Sequence, residues 1–184
     1  MSVSASDKKG NESLEQTLIV GVGNPLLGDE GIGPHIIDNL LQLPMPPGVR
    51  LLDCGCDLLN LVSYIDEPKK IIVVDAIRAG GKPGEIHRFD FAELEVLQTK
   101  TRSAHQLQVV DALRLLREVC PCLTNCEITV IGIEPKVIEL STDFSKEVRQ
   151  NIPDLTRLVL EEMYSVRWFA HCEVSHGKCE NHGR

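Results

Sequence analysis

Short apolar runs alternate along the chain with stretches whose apolar residues recur every three or four positions. "TLIVGVG" (Thr17 to Gly23) is rich in β-branched residues and ends in glycines, as a strand buried on both faces does. Behind it, Ile36, Ile37, Leu40 and Leu41 fall at helical spacing, and Pro34 suits a first helical turn. "VRLLDCG" (Val49 to Gly55) reads as a second strand, "DLLNLVSYI" (Asp57 to Ile65) as a second short helix, and "KIIVVDAI" (Lys70 to Ile77) as a strongly buried third strand. "GEIHRFDF" (Gly84 to Phe91) alternates with period two after "AGGKPG", which predicts an antiparallel strand at the sheet edge. "SAHQLQVVDALRLLREV" (Ser103 to Val119) is amphipathic. Ser103 and Gln106 form a capping box that starts this helix at Ser103 and puts His105 in its first turn. "EITVIGIEP" (Glu127 to Pro135) is a further core strand, and Asp143 to Phe169 is a long helical segment with a kink expected near Pro153. Strands alternating with helices predict an α/β chain whose mostly parallel sheet is covered by helices.

The bulk properties narrow the function classes. A chain of 184 residues suits one domain with a sizeable core, here 17–169, between a polar leader over 1–16 and a tail over 170–184. The net charge of -8 argues against a nucleic-acid footprint or an anionic-membrane surface, leaving proteins or small molecules as partners. "MSVSASDKKGNESLEQ" lacks the apolar stretch of a signal peptide, and no apolar run approaches the roughly 18 residues needed to span a bilayer. A cytoplasmic protein is therefore expected. Seven cysteines without an export signal point to reduced thiols rather than a disulfide framework.

The stretch "GVGNPLLGDEGIGP" (Gly21 to Pro34) has the layout of a nucleotide-binding turn, yet its chemistry is wrong for one. Leu26 stands where a dinucleotide fingerprint needs its third glycine, no P-loop lysine is present, and Asp29 and Glu30 would repel a phosphate at the coming helix. Asp53 could imitate a ribose-binding acid but lies too far from the glycines. Carboxylates at a helix start are commonly capping groups. Here, however, Glu30 follows the first strand, Asp75 ends the third, and His105 opens a later helix, so three potential ligands gather where open α/β sheets place their sites. Glu, Asp and His suit a divalent transition metal with open positions.

Taken together, "GVGNPLLGDEGIGP", "VVDAI", "PGEI", "SAHQL" and "GIEPKVIELS", in this order, resemble the maturation endopeptidases of nickel-iron hydrogenases. The resemblance covers Leu18 to Met163. It implies a three-layer α/β/α sandwich around a twisted sheet, and an enzyme that removes a C-terminal extension from a hydrogenase large-subunit precursor after nickel insertion. Carried over by position, the family's metal-contacting residues fall on Glu30, Asp75 and His105. Nickel would arrive with the substrate, held by its cysteines, and no resident organic cofactor is implied. Asp29 and Asp53 are candidates for proton transfer or loop orientation. A nickel-dependent chaperone that binds the precursor without cutting it is the competing reading, and a resident-zinc aminopeptidase a third.

Other features read as structural. Cys54 and Cys56 in "DCGCD" stand where relatives carry small residues, and Cys120, Cys122 and Cys126 lack the paired spacing of a zinc knuckle. His35 and His87 read as core or solvated side chains. The tail holds His171, Cys172, His176, Cys179 and His182, a composition that can bind metal but matches no zinc motif, and it reads as disordered.

Overall fold

The computed structural model describes residues 16–100 and 104–165, and within them the side chains outside 97–108. Five strands, β1 (Thr17–Gly21), β2 (Val49–Asp53), β3 (Lys70–Ala76), β4 (Ile86–Asp90) and β5 (Glu127–Ile133), form one sheet in the order β2-β1-β3-β5-β4. β1 pairs in parallel with β2 and β3, and β3 with β5. β4 runs antiparallel to β5 at the edge, as its period-two pattern predicts.

Alternation along the strands divides the core in two. Leu18, Val20, Ile71 and Val73 face one layer, formed by a 3-10 helix (Leu58–Tyr64) with α2 (Phe91–Lys100) and α3 (Ala104–Val119). Ile19, Ile72 and Val74 face the other, formed by α1 (Ile32–Leu41) and α4 (Lys146–Tyr164). The result is the three-layer α/β/α arrangement. Fully burying side chains such as Ile19 and Ile72 contributes about 1.5–3 kcal/mol each, which fixes the strand register by driving alternate residues into opposite layers.

Local details depart from the sequence pattern in three places. The second short helix is a 3-10 helix whose Asp57 Oδ1 accepts the Leu59 N–H at 2.9 Å. α2 was not expected; it follows β4 directly. α4 continues through Pro153, held by a buried stripe of Val148, Leu155, Val159 and Met163. The Ser103 cap, the leader up to residue 15 and the tail from 166 onward lie outside the described residues. Among the described residues, no helix is long and apolar enough to cross a membrane.

Candidate active site

Four parallel strands bring their carboxyl ends to one edge of the sheet. From β1 the chain returns through α1 to β2 on one side, while β3 lies on the other. The crevice outside β1 and β3 is thus the topological switch point. The loop leaving β1 passes Gly23, at φ 139°, where any side chain would collide with the Glu30 carbonyl, and enters a 3-10 turn over Gly28–Gly31. Gly33 lets α1 press against the Val22 and Val74 backbone. The close helix packing that a third fingerprint glycine permits is therefore supplied by Gly33, in the first turn of α1, instead of at the position of Leu26.

Asp29 and Glu30, neighbours in sequence, do different work. Asp29 is fully buried. Its Oδ2 accepts the backbone N–H groups of Lys136 (2.9 Å) and Val137 (3.0 Å), and its Oδ1 accepts that of Ser145 (2.7 Å), the N-cap of α4. The Asp29 N–H donates back to the Val137 carbonyl at 3.2 Å, and Leu27 and Ser141 form a parallel bridge. Of the two roles open to Asp29, this geometry serves loop orientation, because three donors already occupy its carboxylate.

Glu30 and Asp75 are both buried at the switch point. Asp75 alternates with Ile71 and Val73, so it faces the α3 layer. Its Oδ1 accepts the Ala76 N–H at 2.8 Å. Burial pushes its carboxyl well above the usual carboxylate range; the Ala76 bond opposes this, and the negative charge of Glu30 adds to it. β3 packs against the 3-10 turn that carries Glu30, which brings the two buried acids into one neighbourhood. His105 lies in the first turn of α3, four residues before Val109, and its side chain is outside the described set. Among the described residues no three His, Cys, Asp or Glu side chains converge to hold a metal. Of the expected trio, only Glu30 and Asp75 have described side chains.

Asp53 ends β2, one strand beyond β1, exposed and with Oδ1 accepting the Gly55 N–H at 2.8 Å. This turn carries Cys56, whose thiol lies 3.9 Å from the Gly23 carbonyl. Cys54 is buried, and burial, with Asp53 and Asp57 adding to it, pushes its thiol up to about 11, which suits a packing role. His35 packs edge-on against Phe144 at 5.0 Å between ring centres.

A cavity of about 550 Å³ opens between the 3-10 helix and α3. Asp75 lines it with Val22, Leu58, Val109, Ala112 and Leu115, and Cys56 and Asp57 also contribute.

Glu134 escaped sequence reasoning. It follows β5, is buried, and its Oε2 accepts the N–H groups of Ala79 (2.8 Å) and Gly81 (3.2 Å), with His87 Nε2 at 3.6 Å. It thereby fixes the loop that leaves β3 just past Asp75. The signal was present as the acid of "GIEP", directly after the apolar end of a strand.

Fold and site together define an α/β/α protein with a carboxylate-bearing crevice at its switch point. A family model described as hydrogenase maturation protease matches residues 34–162, and the chain belongs to the hydrogenase maturation protease family, whose members are peptide-bond hydrolases. It is 33% identical over 124 residues to the hydrogenase 2 maturation protease of Escherichia coli, which covers 66% of this chain and 74% of that protein. The solved structure of the E. coli hydrogenase maturating endopeptidase HybD superimposes with a TM-score of 0.70 at 30% identity, covering 80% of this chain and 91% of that one. HybD from Thermococcus kodakarensis, a nickel-iron hydrogenase maturation protease, gives a TM-score of 0.71 at 29% identity, covering 80% and 99%.

Proposed function

We propose that the chain removes the C-terminal extension of a nickel-iron hydrogenase large-subunit precursor, in the cytoplasm, once nickel has been inserted. The buried pair Glu30 and Asp75 carries this reading, since two coupled carboxylates in one crevice favour a divalent cation over an anion. The precursor brings that cation. Held by the precursor's cysteines, nickel meets Glu30, Asp75 and His105 and draws the scissile peptide into the crevice; a nickel-free precursor lacks this anchor and is spared. Water then adds across the peptide bond: its oxygen joins the carbonyl carbon, the C–N bond breaks, and the leaving amine takes a proton. Asp29 orients the opening loop, and exposed Asp53 is the candidate for proton transfer.

The test incubates the purified chain with nickel-loaded and nickel-free precursor and follows the precursor's mass. Only the nickel-loaded form is expected to shorten. Glu30→Gln, Asp75→Asn and His105→Ala each remove a contact to the cation and are expected to slow cutting by about 100-fold or more. Full activity in His105→Ala would defeat the ligand assignment. Binding without shortening would make the chain a chaperone of the precursor instead.

A further inference from the structure

The cavity between the 3-10 helix and α3 is not accounted for by metal contact. Its walls are apolar: Leu58 and Leu59 from the 3-10 helix, Val109, Ala112 and Leu115 from α3, and Val22 from the end of β1. Asp75 is its one buried acid, so the cavity and the proposed cutting site share a wall. Two of the lining side chains, Leu59 and Leu115, are 37% and 44% exposed, leaving apolar surface at the mouth as well as inside. At about 550 Å³ the cavity sits within the range of roughly 300–1,000 Å³ typical of ligand sites.

We infer that this cleft is a side-chain subsite that selects the precursor by an apolar residue close to the scissile bond. The inference rests on the proposed endopeptidase reading and names what that reading leaves open, the feature of the polypeptide that is recognised besides its metal. A chain whose scissile carbonyl lies at the Glu30–Asp75 end of the crevice has its neighbouring residues beside this opening, because Asp75 belongs to both. An extended segment directs alternate side chains to one side, so an apolar side chain next to the cut enters the cleft while the following one faces solvent. The leucine and valine walls reward this by burying apolar surface. Asp57 and Asp111 are the acids that join Asp75 in the lining, and both are exposed, which puts them toward the solvent side of the cleft. Ala112 is the smallest lining side chain. Half-buried on the α3 wall, it sets the depth available, while Leu115, one turn nearer the helix end, forms the lip.

The experiment measures cleavage of nickel-loaded precursor by the native chain, by Ala112→Phe, which fills the cleft, and by Leu115→Asp, which places a charge at its exposed lip. Both variants are expected to raise KM by about tenfold or more with kcat changed much less, since a mismatched apolar pocket discriminates on that scale. A set of precursors, each with one apolar residue near the cut replaced by Ala, is tested in parallel. One of them is expected to be cut poorly by the native chain and to lose little further with Ala112→Phe. Leu115→Asp keeps the subsite testable if Ala112→Phe does not fold, because Leu115 is already solvent-facing. Unchanged KM in a folded variant, with the native chain cutting normally, overturns the subsite and leaves the endopeptidase reading standing. A native chain that leaves every precursor intact overturns both.

Discussion

The two ends of the sheet bury carboxylates in opposite ways. At the amino end, Glu162 from α4 bonds Arg88 at 2.6 Å and Lys70 at 2.9 Å, and Thr129 donates its hydroxyl at 3.2 Å. Lys70 also donates to the carbonyls of Glu162 (2.7 Å) and Ser165 (2.8 Å). Burial alone would raise the Glu162 carboxyl, yet the Arg88 and Lys70 contacts outweigh it and hold the group at about 2. At the carboxyl end, Asp29 and Glu134 are satisfied by backbone N–H groups, and Asp75 takes one such bond while burial, with the charge of Glu30 adding to it, drives its carboxyl upward. One end closes its charges with fixed cations and so locks α4 to the sheet. The other meets Asp29, Asp75 and Glu134 with neutral backbone N–H groups, and it is there that the proposed nickel-borne substrate docks. The ion pairs thus stand at the end away from the proposed substrate, and the burial-disfavoured carboxyl of Asp75 stands where that substrate docks.

Breaking the closed end has the largest expected effect. Glu162→Ala takes the shared carboxylate from buried Lys70, which keeps Glu127 at 3.6 Å, and from half-buried Arg88, and urea unfolding should show a loss of about 3 kcal/mol, with cutting per folded molecule unchanged. Asp29→Ala strands the N–H groups of Lys136, Val137 and Ser145 and should cost about 1–3 kcal/mol, together with faster hydrogen exchange at these three amides. Asp75→Asn works in the opposite direction. It removes a carboxylate that burial disfavours, so the folded state should melt at a higher temperature at neutral pH while processing is lost.

The pH dependence separates the ends further, with the smallest signal. Glu162 has a depressed folded value, so its contribution is complete above the unfolded value of about 4.3 and fades as pH falls toward about 2. Asp75 has a raised folded value, so its penalty is absent in acid and grows as pH rises above about 4 through that raised value. Melting curves should therefore show the Glu162→Ala deficit shrinking below pH ~4 and the Asp75→Asn advantage vanishing there. A deficit that persists at pH ~2 would show that packing, not charge, explains the closed end.

Much of this architecture is legible in the chain because the core strands are continuous apolar runs and the edge strand alternates. Glu30, Asp75 and His105 could be selected because each stands at a strand end or helix start, and topology, not distance, defines the switch point. α2 was missed because its apolar positions form no stripe and, of its described side chains, only Leu94 is buried. A local signal did exist: Asp90 and Glu93 cap each other reciprocally, each side chain accepting the other's N–H at 2.9 Å. The helical pattern of Leu58–Tyr64 could not reveal its tighter winding, since a short run satisfies either period. What remained hidden was long-range bonding. Nothing in "GDEG" says that Asp29 reaches residues more than a hundred positions away, or that Glu134 holds the loop beyond Asp75.

The clamp made by Asp29 also has a consequence for synthesis. Its partners Lys136 and Ser145 lie 107 and 116 residues downstream, beyond the last strand and at the start of the last described helix. A growing chain can pair β1 with β2 and β3 long before those partners leave the ribosome, but it cannot shape the loop that presents Glu30. The loop that presents Glu30 is thus held in place only late in synthesis, once the chain as far as Ser145 has emerged.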